Sequence, residues 1–155
     1  MPTPGPLITI RELTDADSSA VLALSDRLTI GVAAWRDPVA VSAAVLGWLE
    51  ASTAADFAGV ALVAEIGGRV VGFVSVDTET HFAGEVDAYI GELLVDAPNE
   101  GAGVGATLIA AAESVARKRG HHCLTLSTGA ANHRAIGFYS SLGFEAEDVK
   151  LTKVL

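Results

Sequence analysis

Cysteine is almost missing from this chain. Cys123 is the only one in 155 residues, so no disulfide can close within a molecule. Basic residues are also few: 10 Lys and Arg stand against 19 Asp and Glu, for a net charge of −9. That balance excludes the clustered positive surface on which nonspecific nucleic-acid binding draws, and it suits a cationic small molecule or a basic peptide as guest. Long hydrophobic runs are missing too. Mean hydropathy is +0.43, yet the apolar residues are broken up by Glu, Asp and Gly, and none of the runs reaches the roughly 18 residues that span a bilayer. No membrane partner is expected. Residues 1–6, Met-Pro-Thr-Pro-Gly-Pro, have neither the basic nor the apolar region of a signal peptide and read as a disordered leader of a cytoplasmic protein. Residues 7–155 suffice for one domain with a proper core. Cys123 stands beside Leu-Thr-Leu alternation, which predicts a small buried residue rather than a nucleophile.

What is present is an ordered series of elements. Residues 7–13 alternate apolar and polar as a strand does. Thr14 and Asp17 then mark a helix start, with Ala20, Leu22, Leu24 and Leu28 on the helix that follows. Pro38 opens a second helix, on which Val41, Val45, Trp48 and Leu49 repeat at helical spacing. Trp35 and Trp48 read as core or helix-contact residues. Residues 60–66 and 69–76, joined by Gly67-Gly68, form the clearest hairpin. A fourth strand is expected over residues 85–95, a helix over 106–119, a fifth strand over 123–127, a helix over 132–142, and a closing pair of strands around Phe144 and residues 149–154.

The centre of the pattern is Asn99-Glu100-Gly101-Ala102-Gly103-Val104-Gly105-Ala106, between an apolar strand and an alanine-rich helix. Glycines let backbone approach a ligand closely, and the first N–H groups of a helix are unpaired and carry the positive end of its dipole. The order strand, glycine turn, helix is that of a phosphate site, although glycines also make plain turns. A Walker loop is excluded because Ala106-Thr107 follows Gly105. A dinucleotide fingerprint would lie earlier in the chain.

A second stretch, Asn132-His133-Arg134-Ala135-Ile136-Gly137-Phe138-Tyr139-Ser140-Ser141-Leu142-Gly143-Phe144, completes the signal. Together with the glycine turn and Val95, it resembles the GNAT superfamily of N-acetyltransferases. The family's acetyl-CoA motif runs Val-x-Pro-x-x-Arg-Gly-x-Gly-x-Gly, and its later helix reads Asn-x-x-Ala-x-x-Phe-Tyr-x-x-x-Gly-Phe. Glu100 departs from the motif, standing where Arg or Gln is usual. With the element order, the resemblance implies an α/β (α+β) fold: a mixed, mostly antiparallel sheet of about seven strands, flanked by about four helices, with strands four and five splayed to admit the cofactor. It also implies transfer of an acetyl group from acetyl-CoA to a primary amine, and it admits a homodimer.

Each step of that reaction has a candidate residue. By resemblance, the pantetheine arm pairs with main chain at Leu93, Leu94 and Val95, where an N–H also polarises the thioester carbonyl. The pyrophosphate accepts N–H bonds from the turn between Glu100 and Ala106. Asn132 reads as an N-cap that can also reach the pantetheine, and Phe138 lies beside it in the same motif. Glu92 shares strand parity with Val86, Ala88, Ile90 and Leu94; unless a bulge breaks the alternation, it lies against apolar neighbours that raise its pKa and suit it to act as a base. The plainer reading is a carboxylate facing solvent or a salt-bridge partner. Tyr139 has the spacing of a core tyrosine, while the motif puts it where it can protonate the departing thiolate. Trp35 and Trp48 fall where such folds line the acceptor pocket. Asp77, Glu79, Glu85 and Asp87 form an acidic rim, solvated or attractive to an amine. No metal is expected, because His121, His122 and His133 have no ligand-spaced carboxylate or cysteine. The competing function is a non-catalytic CoA-binding or regulatory module on the same fold, since Glu100 would repel a pyrophosphate.

Overall fold

The computed structural model describes residue 1 and residues 3–155. Five strands, β1 (Thr9–Glu12), β2 (Val60–Ile66), β3 (Arg69–Thr80), β4 (Val86–Val95) and β5 (Leu124–Leu126), form one sheet in sequence order. The first four pair antiparallel and β5 joins β4 in parallel. The helices are α1 (Ser18–Leu22), α2 (Pro38–Thr53), α3 (Val104–Lys118) and α4 (His133–Ser141). The fold is thus the expected mixed α/β architecture with four helices.

Each face of the sheet carries its own apolar cluster. On one, Val71, Val74, Val76, Ala88 and Ile90 pack against Val104, Leu108, Ile109 and Ala112 of α3. The spacing of those four α3 residues makes one stripe of the helix. On the other face, Val63, Phe73 and Leu94 meet Val21 of α1 and Leu49 of α2. The start of α2 follows from local sequence: Pro38 sits at its first turn and the Asp37 carboxylate accepts the Ala40 N–H at 3.0 Å. The chain enters α1 through Thr14, whose N–H donates to Asp17 at 2.8 Å, while Arg11 grips the same carboxylate with two N–H groups at 2.7 and 2.8 Å.

One irregularity decides the site. In the β3–β4 ladder Val74 pairs with Leu93 but Val76 pairs with Ile90, so Gly91 and Glu92 together oppose Ser75. This β-bulge inserts one residue and exchanges the faces of everything beyond it. Ala88 and Ile90 point to the α3 cluster, whereas Leu94 points to the α1–α2 cluster. Strict alternation therefore misplaces Glu92, which does not share a face with Ala88 and Ile90.

Other expectations change as well. Five strands form rather than about seven: residues 145–155 make no strand, and Val149 and Leu151 are 80% and 88% exposed. β5 is only three residues long, and the terminal segment is dense in Glu, Asp and Lys, so the segment has little apolar surface to bury there. The helix after Thr14 ends at Leu22 and continues as a separate 3-10 turn, Ser25–Thr29. Trp35 and Trp48 are 56% and 55% exposed rather than core: Trp35 precedes α2, and Trp48 lies at the margin of the stripe of Val45, Leu49, Ser52 and Thr53 that α2 buries. Cys123 is exposed; it precedes β5, and the nearby carboxylate of Asp87, with burial and Glu85 and Glu147, raises its pKa. The described part of the expected leader, residues 1 and 3–6, has no helix or strand, and position 2 lies outside the described residues. None of the helices among the described residues is long and apolar enough to cross a membrane.

Leu108, fully buried between α3 and the sheet, anchors the helix that carries the glycine turn. Leu108→Ala is expected to cost about 2–5 kcal/mol in urea unfolding. A loss below about 1 kcal/mol would show that α3 is not held by this cluster.

Candidate active site

Asp96 organises the turn between β4 and α3. Its carboxylate accepts Asn99 Nδ2 at 2.7 Å and Arg69 at 3.3 Å, and its carbonyl accepts the Asn99 N–H at 3.1 Å. Gly101 and Gly103 then take positive φ, 75° and 89°, a conformation costly for residues with a Cβ. The N–H groups of Glu100 and Ala102 are used inside the turn, donating to Ala97 and Asn99. Those of Gly101, Gly103, Val104, Gly105 and Ala106 donate to no protein acceptor among the described residues. A Cβ at Gly101 would meet nothing within 4 Å. This open cradle of donors at the positive end of α3 fits a pyrophosphate.

Beside it, β4 has an open edge. β5 pairs only with Ala88, Tyr89 and Ile90, so from Gly91 onward β4 has no strand neighbour on that side. Asp96 N–H donates to Val71 O at 2.9 Å, and because antiparallel residues alternate in the direction of their bonds, Leu94 directs its main chain to β3. Leu93 and Val95 direct theirs to the open edge. Of the three residues expected to meet the pantetheine arm, these two have main-chain groups facing the open edge; Leu94 is 3% exposed in the core.

The bulge turns Glu92 toward α2. Glu92 is 8% exposed. Oε2 accepts Ser52 Oγ from α2 at 2.9 Å and Ser75 Oγ from β3, while the Glu92 N–H donates to Ser75 Oγ at 3.0 Å. Oε1 has no protein donor among the described residues and keeps some contact with solvent. Burial raises the Glu92 pKa, and the Ser75 and Ser52 bonds offset only part of that rise. Ser52 Oγ also lies 2.9 Å from Trp48 O. Its single proton can serve the carbonyl when Glu92 is protonated and the carboxylate when it is not, so the pocket accommodates both states. Ser52 and Ser75 were not among the sequence candidates; their one signal is a serine within each buried stripe.

Tyr139 approaches from the other face. Its ring packs on the α3 cluster, edge-on to Phe144 at 5.6 Å and tilted to Phe138 at 5.3 Å. Its hydroxyl has no protein partner among the described residues and keeps some contact with solvent, and burial raises its pKa, keeping it protonated. Phe138 seats α4 on α3, its Cζ 3.1 Å from where a Gly105 Cβ would stand. Asn132 caps α4, accepting the Ala135 N–H at 3.1 Å.

Glu100 is not a lone charge. Arg27 pairs with its Oε1, and Arg134 with its Oε2 at 2.5 Å. Neither arginine was singled out in the sequence. Elsewhere, Glu85, Asp87 and Cys123 bring three ligand atoms within 4.8 Å of one another, but two of the three are exposed and no histidine joins them. Two open depressions of about 500 and 490 Å³ lie near the ends of β1 and β2, and neither includes Glu92, Tyr139 or the glycine turn.

Residues 26–144 match the acetyltransferase (GNAT) family. The chain belongs to that family. An uncharacterized N-acetyltransferase of Methanocaldococcus jannaschii is 39% identical over 89 residues, which are 56% of this chain and 39% of that protein; the match spans about two fifths of the relative's length. Among solved structures, a putative acetyltransferase from Pyrococcus furiosus has a TM-score of 0.77 at 19% identity, covering 96% of this chain and 100% of that one. An aminoglycoside N-acetyltransferase solved in complex with CoA has a TM-score of 0.74 at 19% identity, covering 99% of each chain. These two likenesses establish the fold.

Within the GNAT framework Glu92 carries a stability cost that can be measured. A carboxyl whose folded pKa is raised stabilises the fold below its unfolded pKa and loses that contribution as pH rises through the folded value. Glu92→Gln is therefore expected to raise the melting temperature at pH 7, with the gain vanishing below about pH 4, where glutamate is neutral in both states. A lower melting temperature at pH 7 would mean that the serine bonds outweigh burial.

Proposed function

We propose that this GNAT protein transfers the acetyl group of acetyl-CoA to a primary amine of a small molecule or peptide, by direct attack in a ternary complex. The observation that carries the reading is the position of Glu92: a buried carboxylate with one oxygen open, on the bulge where β4 begins to offer an unpaired edge. Acetyl-CoA supplies the acyl thioester. Gly101, Gly103, Val104, Gly105 and Ala106 hold its phosphates through main-chain donors, and Leu93 and Val95 hold the arm and polarise the carbonyl. Glu92 Oε1 takes the proton from the ammonium, directly or through one water. Tyr139 gives a proton to the departing thiolate. Glu92 reaches from the α2 face and Tyr139 from the α3 face, so base and acid act from opposite sides of the cleft.

The acceptor is cationic on this reading. Beyond the bulge, Asp87 and Tyr89 lie on the same face as Glu92, and on β3 so do Ser75, Asp77 and Glu79. Glu79 and Asp87 stand directly opposite one another in the ladder, a like-charge pair that is unfavourable unless a cation lies near. Together they make an acidic track leading to the base. Several solved structures of this fold are aminoglycoside acetyltransferases, whose substrates are amines. The alternative, a binding module without catalysis, rested on Glu100 repelling a pyrophosphate; pairing with two arginines removes that objection.

A thiol-release assay with acetyl-CoA against amines, basic peptides and aminoglycosides tests the activity, and no release with any of them would overturn it. With an active acceptor, Glu92→Gln is expected to slow turnover about 10²-fold or more at neutral pH, and the wild-type rate to rise with pH as the ammonium proton becomes easier to remove. Tyr139→Phe retains the ring and is expected to lower kcat while leaving CoA affinity and melting temperature nearly unchanged; normal turnover would leave the residue a core role only. Glu79→Gln is expected to raise KM for a polycationic acceptor without changing KM for acetyl-CoA, and equal KM values would remove the acidic track from substrate binding.

A further inference from the structure

The net charge is −9, and Glu100 stands directly before the glycine turn that a pyrophosphate would enter. The structure shows how that carboxylate is held. Arg27 comes from the 3-10 turn Ser25–Thr29 and is anchored twice, by Glu100 Oε1 at its tip and by Val95 O, to which Nε donates at 3.1 Å. Val95 is one of the two residues whose main chain faces the open edge of β4. Arg134, in the first turn of α4, takes Glu100 Oε2 and is otherwise 74% exposed. Three segments distant in sequence thus converge on one carboxylate at the mouth of the cleft.

The same segments touch through their backbones. Gly31 packs so closely on the loop before α4 that a Cβ at Gly129 would lie 2.0 Å from Gly31 O, and one at Gly31 would lie 2.3 Å from Asn132 Cβ. Asn132 Nδ2 donates to Ile30 O at 3.4 Å. The turn bearing Arg27 and the helix bearing Arg134 are therefore docked together, one on each side of Glu100.

We propose that Arg27 and Arg134 are the cationic contacts of the cofactor's pyrophosphate, and that Glu100 acts as its stand-in, giving up both arginines when phosphate oxygens arrive. This rests on the reading of the glycine turn as a pyrophosphate site. A carboxylate and a phosphate present the same kind of acceptor to a guanidinium, and the amides of Gly101 and Gly103 to Ala106 lie immediately after Glu100 in the chain. Arg27 has a second task in the exchange. Leaving Val95 O releases a main-chain acceptor on the β4 edge to the pantetheine arm, so phosphate binding and arm binding are coupled through one side chain. The charge expected of residue 100 from the family motif is thus supplied by two residues from elsewhere in the chain, with Glu100 keeping them in place.

The test is calorimetric titration with CoA and, separately, with pantetheine, which lacks the phosphates. Arg134→Gln, at an exposed position that leaves folding intact, and Arg27→Ala are each expected to lower CoA affinity about tenfold, the size of one charge-assisted hydrogen bond, and to flatten its salt dependence. Pantetheine affinity should be unchanged in Arg134→Gln and unchanged or higher in Arg27→Ala. Glu100→Gln should tighten CoA binding at low salt, and by less when both arginines are also replaced. That sign is diagnostic: if the arginines merely neutralise Glu100 and never reach phosphate, removing them unmasks its repulsion, and Glu100→Gln then gains more in the double-arginine variant than in the wild type. That result, or unchanged CoA affinity in Arg134→Gln and Arg27→Ala while the wild type binds CoA, would overturn the exchange and leave the cofactor reading standing. A wild-type chain that binds pantetheine and CoA equally would overturn both.

Discussion

A single extra residue in β4 governs the rest of this molecule. Two residues, Gly91 and Glu92, stand opposite Ser75, and the added residue does two things. It turns Glu92 out of the α3 face and toward α2, where Ser52 and Ser75 meet it. It also marks where β4 and β5 part, since β5 pairs no further than Ile90. A bulge bends its strand and sharpens the local twist, so the base candidate and the open edge arise from one local event. Glu92 and the open edge thus lie side by side on one strand, and their geometry does not depend on a flexible loop.

Electrostatics presents the opposite problem at the two ends of the cleft. At Glu92 a charge is buried among few donors, which favours the neutral form and makes the carboxylate a better proton acceptor. At the glycine turn, on the proposed reading, an anionic protein receives an anionic ligand. Backbone amides answer part of that need, because they carry partial positive charge that no titration removes. On the proposed exchange Arg27 and Arg134 supply the remainder, and their pairing with Glu100 keeps two cations ordered at a position that would otherwise scatter them.

Much of this was legible in the sequence for local reasons. Gly67-Gly68 between β-branched runs fixes the β2–β3 hairpin, Asp37-Pro38 opens α2, and Gly101 and Gly103 mark the turn, because each depends on conformations that few other residues adopt. Asn132 through Phe144 carried the family resemblance, which residues 26–144 bear out. The illegible part is what alternation cannot count. A period of two assigns Glu92 to the face of Ala88 and Ile90, and nothing in Ile-Gly-Glu-Leu-Leu announces the insertion that reverses it. Ser52 and Ser75 lie 40 and 17 residues from Glu92, and the partners of Glu100 come from before α2 and from α4. Contacts of that range belong to the packed fold and leave no spacing to read. The expected terminal strands did not form because alternation over residues 149–154 says nothing of the partner: β5 is only three residues long, and the segment, dense in Glu, Asp and Lys, has little apolar surface to bury there.

The central claim is that the bulge buries Glu92 enough to make it a base. Carbon NMR of the Glu92 side-chain carboxyl, followed through a pH titration of the folded protein and assigned by comparison with Glu92→Gln, measures this directly. The account predicts a midpoint clearly above that of an ordinary glutamate. A midpoint at or below the ordinary value would contradict it, because Ser52 and Ser75 would then be stabilising a permanent anion and Glu92 would have no greater claim to the ammonium proton than any surface carboxylate.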